Sequence, residues 1–243
     1  MTTITPFLLH LADTALILSH RNSEWCGHGP VLEQDIAITN IALDQVGLAR
    51  NLYQYAATVM GNTNEDTLAM LRPEREYKNP LLAELPRGDW AITVLRQYLL
   101  CQFQYLQYQH LQHHPDEQLA AIATKSLKEL KYHLRWSSEW VVRLGDGTDE
   151  SRQRMINALQ EIWPYTGELF IPADYEISAG FDPSSLASAW MEQVQGIFQE
   201  STLSIPANNF MQSGGKQGNH TEYFGFLLTE LQYMQRAYPG CEW

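Results

Sequence analysis

Cysteine is scarce in this sequence: three in 243 residues, Cys26, Cys101 and Cys241. They lie far apart and no Cys-x-x-Cys occurs, which argues against a disulfide framework and a zinc ribbon. Basic residues are also few, 16 Lys and Arg against 28 Asp and Glu, for a net charge of −12. A surface that acidic repels phosphate backbones, so nucleic acid and anionic membranes are set aside as partners. No run of about 20 uninterrupted apolar residues is present to span a bilayer. The apolar start, MTTITPFLLHLADTALILSH, has no basic leader and is broken by Asp13, so it does not read as a signal peptide. Sustained alternation of apolar and polar residues is missing too, which removes the signal for β-sheet. The expectation is a reduced, soluble, cytoplasmic protein.

What is present is helical periodicity almost throughout. One helix is expected over Phe7–Trp25 and a second over Leu32–Met60. The second is apolar nearly all round and is therefore expected to be covered by neighbours on most sides. A long connection, residues 61–88, carries Gly61, Pro73, Pro80, Pro86 and Gly88, with a short helix at Asp66–Leu71. Further helices are expected over Trp90–His113, from near Asp116 to Gly145, over Ser151–Phe170 (interrupted by Pro164 and Gly167), over Ser184–Leu203 and over Thr221–Tyr238. No repeat, low-complexity tract or linker divides residues 1–243. The fold class is all-α: a single ferritin-like domain, a four-helix bundle with additional C-terminal helices, helices two and three being joined by the long crossover.

Such a bundle commonly holds two irons, with Glu from two helices and Glu-x-x-His from the other two. Residues three apart share a helical face, which is why that spacing presents a carboxylate and an imidazole to one metal pair. The eight histidines are preceded at that spacing by Phe7, Ile17, Trp25, Gln107, His110, Leu111, Leu130 and Gln217, none a carboxylate. Ile41 stands three before Asp44 and Leu130 three before His133. Aliphatic side chains cannot replace anionic oxygen ligands, so no metal is expected between Asp44 and His133. Asp44 is expected to be buried or nearly so and paired with His133 or an arginine. Glu24 with His28, and Glu129 with His133, are expected to form local i,i+4 pairs.

Lys125, Lys128, Lys131, Arg135 and Arg143 share about a third of one helix's circumference, opposite Leu130. That arc is either a solvated face with Lys125–Glu129 and Arg135–Glu139 pairs or a docking stripe for an acidic partner or anionic ligand. Ser213-Gly-Gly-Lys-Gln-Gly218 lacks Walker spacing and does not follow a strand, so it reads as a turn before the last helix. The seven tryptophans, Trp243 among them, are expected mainly in the core, some at a subunit interface.

Several stretches in order, SEWCGHGPVLEQDIAITNIALDQVGLARN, EDTLAMLRPEREYKNPLL, RQYLL, KSLKELKYHLRWSSEWVVRLGDGTDES and SGGKQGNHTEYFGFLLTELQYMQRAYPG, resemble the C-subunit family of bacterial phenylacetyl-CoA epoxidases. The resemblance covers nearly the whole chain. WPYTGELF departs from it at Pro164. It implies a non-catalytic structural subunit in phenylacetate catabolism, with no catalytic, cofactor or metal residues of its own. The di-iron centre and the CoA thioester would belong to the homologous catalytic A subunit, its partner, and a reductase would supply electrons. Two other readings stand beside it: a metal-dependent oxygenase with an atypical ligand set (Glu24, Asp44, Glu129, His133), and a CoA-ester-binding module using the basic arc.

Overall fold

A computed structural model describes residues 4–207 and 210–241. Trp243 lies outside the described residues. Within them the chain is all-α. Its helices are α1 (Thr5–Ser23), α2 (Leu32–Met60), α3 (Glu65–Met70), α4 (Leu81–Glu84), α5 (Trp90–Leu111), α6 (Glu117–Gly145), α7 (Asp149–Ile162), α8 (Asp174–Ser178), α9 (Ala187–Glu200) and α10 (Glu222–Ala237). No helix among the described residues is long and apolar enough to cross a membrane. The helix ends follow local chemistry. Asp89 and Asp116 accept the Ile92 and Leu119 N–H groups at 3.0 and 2.9 Å and so cap α5 and α6. Gly61, at φ +75°, closes α2 in the left-handed conformation that a Cβ disfavours.

The chain falls into two compact units. The first comprises Met1–Pro86, Ala173–Phe181 and Ser213–Trp243. Its centre is the α1–α2 pair. Tyr53 bonds Asp13, and Asn22 bonds Gln45, so positions rise on one helix as they fall on the other and the pair is antiparallel. Phe7, Leu8, Leu11, Ile17, Ile38, Ile41 and Leu52 are removed from water between and around them, and this burial is the main favourable term for the pair. The crossover, residues 61–86, and the C-terminal α10 complete this unit.

The second unit comprises Arg87–Pro172 and Asp182–Gln212. Here α5 and α6 pair antiparallel, Trp90 meeting Trp136 edge to face at 6.1 Å and Cys101 Sγ lying 3.4 Å from the Leu130 carbonyl. Trp163, Phe170, Trp190 and Phe198 pack as one aromatic cluster, with the Trp190 indole N–H donated to the Leu99 carbonyl at 3.1 Å. Those tryptophans are core, as expected. The helical stretch expected over Ser151–Phe170 is interrupted at Pro164 and Gly167, as expected: α7 ends at Ile162, and two 3-10 turns, Trp163–Tyr165 and Gly167–Phe170, follow. Pro164 has no N–H to continue the ladder.

Candidate functional site

The positions where a di-iron helix would carry ligands can be taken helix by helix. On α2, Ile41 is fully buried where a bridging glutamate would be required. Asp44 is half-buried. The buried polar group on that turn is its neighbour Gln45, whose Oε1 accepts the Asn22 amide at 3.1 Å. On α6, Leu130 and His133 are both buried, the imidazole lying edge-on to Tyr132 at 6.1 Å, and Glu129 is half-buried. Glu24 lies just past the end of α1, exposed, and pairs with Arg21 at 2.7 Å. The Glu24–His28 pair is corrected as well. Helix α1 stops at Ser23, so the two residues do not share a helical face, and His28 Nδ1 instead faces the Cys26 carbonyl at 3.0 Å. Among the described residues no three His, Cys, Asp or Glu side chains converge as a ligand set. Hydrocarbon at 41 and 130 does not fit a carboxylate-bridged iron pair.

The basic arc lies on the water-facing side of α6. Lys125, Lys128, Lys131, Arg135 and Arg143 are all exposed. Arg135 holds Glu139 at 2.9 Å, the expected i,i+4 pair, and Arg143 sits 5.4 Å from the Trp140 ring centre. Exposed pairs of this kind contribute little to stability.

The glycine-rich stretch does form a turn before the last helix, a 3-10 turn over Gly215–Gln217. Its lysine does not face a ligand. Lys216 is buried, with Nζ 2.6 Å from Oε2 of the equally buried Glu176. The same carboxylate oxygen accepts the Ala173 N–H at 2.8 Å. The glycines serve close approach of backbone to backbone: a Cβ on Gly218 would lie 2.2 Å from the Arg75 carbonyl, and one on Gly215 2.4 Å from that of Asn79. His10 packs beside this pair, its Nδ1 bonded to the Lys78 carbonyl at 2.7 Å and its Nε2 3.6 Å from Glu176. Burial, and then the positive charge of Lys216, push the His10 pKa down to about 3, so it is neutral despite the nearby carboxylate.

Two further charged centres pin the crossover within the first unit. Asp13 on α1 is fully buried and accepts the Tyr53 hydroxyl at 2.5 Å, the Lys78 N–H at 2.8 Å and both terminal nitrogens of Arg72. Burial opposes the Arg72 charge, yet Asp13 raises its pKa further; burial and the same carboxylate lift Tyr53 well above its usual range. Glu84, also fully buried, accepts the Asn79 amide at 2.8 Å, the Thr221 N–H at 2.6 Å and His220 Nδ1 at 2.7 Å. His220 Nε2 points at the Tyr77 carbonyl at 3.1 Å. Both ring nitrogens face acceptors, so both carry protons and the ring is an imidazolium. Burial lowers its pKa, but the Glu84 bond and charge raise it more. These three ion pairs were not anticipated from sequence. The one available signal was Asp13, a carboxylate inside an apolar run.

The profile of the family described as phenylacetic acid catabolic protein matches residues 1–243. The chain belongs to that family. It is also 44% identical over 248 aligned positions, covering all of both chains, to a protein of Escherichia coli (strain K12) named as the C subunit of 1,2-phenylacetyl-CoA epoxidase. The all-helical architecture is consistent with the ferritin-like fold of the phenylacetic acid catabolic family. Family membership therefore covers the segments with ion pairs and those with hydrocarbon at the ligand positions alike.

Proposed function

We propose that this chain is a non-catalytic structural subunit of a multicomponent cytoplasmic di-iron oxygenase that epoxidises the aromatic ring of phenylacetyl-CoA. It pairs with and supports a homologous catalytic subunit. That subunit holds the iron, and a reductase component feeds it electrons. The observation carrying this reading is the aliphatic pair Ile41 and Leu130, both buried at positions where the scaffold would need carboxylates. Full-length likeness to a protein named as the C subunit of the epoxidase supplies the reaction class. The three buried ion pairs suit a chain whose task is to hold a shape: removing either member of such a pair leaves a charge stranded in a low-dielectric interior.

Two measurements test it. Iron analysis of the chain purified alone should give far less than one iron per chain. About two irons per chain with an oxygen-sensitive absorbance would refute the reading. Co-expression with the catalytic subunit of the same organism should keep that subunit soluble and active, and omission of this chain should lose both. A catalytic subunit equally active without it would refute the supporting role.

A further inference from the structure

The sequence predicts a second helix covered on most sides, yet α2 has one bare apolar stripe. Leu32, Ile36, Leu43 and Val46 are 71%, 52%, 63% and 45% exposed. With Thr39 and Arg50 they recur at steps of four, three, four, three and four, the heptad spacing of a helix-pairing seam. The stripe runs for roughly 27 Å along α2 on the face opposite Ile41, Leu48 and Leu52, which form the buried side. Gly47 lies on it as well. A helix-interior glycine weakens its helix relative to alanine. Nothing among the described residues requires one there, because a Cβ at Gly47 would meet none of their atoms within 4 Å. The missing Cβ makes sense if another backbone approaches closely at that point. At its C-terminal end the stripe opens, through Val46 and Arg50, into a notch of about 230 Å³ walled by Leu16, Tyr53, Ala69 and Met70, with Glu65 and Asp66 beside it. A notch of that kind is shaped to take an anchoring side chain.

We propose that the α2 stripe and its notch are the docking surface for one helix of another subunit, apolar at heptad spacing and flanked by lysine or arginine. This rests on the subunit role proposed above and says where the pairing occurs and what the partner presents. Charge selects the partner over a second copy of the chain. Glu33, Asp35 and Asp44 flank the stripe, whereas Arg50 is the only cation in the whole of α2. In a pairing of two copies each Arg50 answers at most one of the three carboxylates and both seams keep a net negative charge, which is destabilising, while a basic-flanked helix would be drawn in. The helix stripe alone is narrower than the area of a stable interface, about 800 Å² per partner. The notch and the neighbouring α3 extend it.

The test is affinity for the same organism's catalytic epoxidase subunit, measured with the full-length chain by pull-down and light scattering. Leu43→Glu should weaken binding by about thirtyfold or more with an unchanged helical spectrum. Phe226→Glu, on the exposed face of α10, should leave binding as it is. Gly47→Ala is the sharper variant: it should raise the melting temperature of the isolated chain by about 2–4 °C while weakening the complex by at least about tenfold. If Leu43→Glu and Gly47→Ala both bind like wild type, the stripe is wrong and the subunit role stands. A wild-type chain that binds no epoxidase subunit overturns both. If the wild-type chain dimerises alone, and Leu43→Glu breaks that dimer without touching catalytic-subunit binding, a second copy covers the stripe and the proposed partner is wrong.

Discussion

Replacing Asp13 by alanine gives the most direct measure of what holds the crossover to the helix pair. The carboxylate is fully buried and serves three donors at once, the Tyr53 hydroxyl, the Lys78 N–H and the Arg72 guanidinium. Arg72 keeps its bonds to the Leu68 and Glu76 carbonyls, at 2.5 and 2.8 Å, but these are neutral acceptors and leave its charge uncompensated. Removing one member of a buried pair costs about 3–5 kcal/mol. The stranded Tyr53 hydroxyl and Lys78 N–H place the expected loss toward the upper end. For a chain of this length each kcal/mol is about 2–4 °C of melting temperature, so Asp13→Ala should melt roughly 6–20 °C below wild type by circular dichroism. The double variant Asp13→Leu/Arg72→Met removes both charges and should regain at least half of that loss, because a hydrophobic substitute for the whole pair is often neutral. A single variant costing under about 1 kcal/mol, or a double variant no better than the single, would show that the charges are not what anchors the crossover.

Two histidines should give the fold opposite pH signatures. His220 has its pKa raised above 6.5 in the folded chain, so its contribution is fully present below pH 6.5 and is lost as pH rises through the folded value; His220→Gln should flatten that alkaline limb in melts against pH. His10 has its pKa lowered to about 3, so its contribution is present above pH 6.5 and is lost as pH falls toward 3, about 2 kcal/mol between pH 6.5 and 5; His10→Asn should remove it. Gly218 and Gly180 share φ +81°, but only the first has a backbone atom in the way of a Cβ. Gly180→Ala should therefore cost about 1 kcal/mol, and Gly218→Ala at least about 3 kcal/mol in urea titrations. Equal losses would assign the cost to φ alone.

The long helices were legible because apolar periodicity is a local signal: α2 begins and ends where its pattern does, and α5 and α6 begin at Asp caps visible in the sequence. Glu-x-x-His is likewise a spacing within one helix, so its absence is a property of the sequence alone. What was not legible depends on distance along the chain. Arg72 meets Asp13 across 59 positions and His220 meets Glu84 across 136, and no periodicity encodes either partner. Asp44 and Gln45 both interrupt an apolar helix, and periodicity does not say that Gln45 is the one turned fully inward. The bare stripe on α2 was misjudged for a different reason. An apolar pattern reports that a surface needs covering and does not say whether this chain or another one covers it.

The unit containing α1 and α2 is closed by residues that come from opposite ends of the chain. During synthesis Asp13 meets Arg72 early, but Glu84 waits for His220, which emerges 136 residues later. At ordinary elongation rates that wait is roughly 7–27 s, and Glu176 likewise waits for Lys216. Over that interval carboxylates destined for the interior have no cation and stay in water, so this half of the molecule cannot settle into its final packing. A ribosome that stalls or terminates before residue 216 thus releases a chain with its first helices made and its lock missing, a species recognisable to proteases. Glu84 and Glu176 thus gain their cations only once the segment carrying Lys216 and His220 has been made.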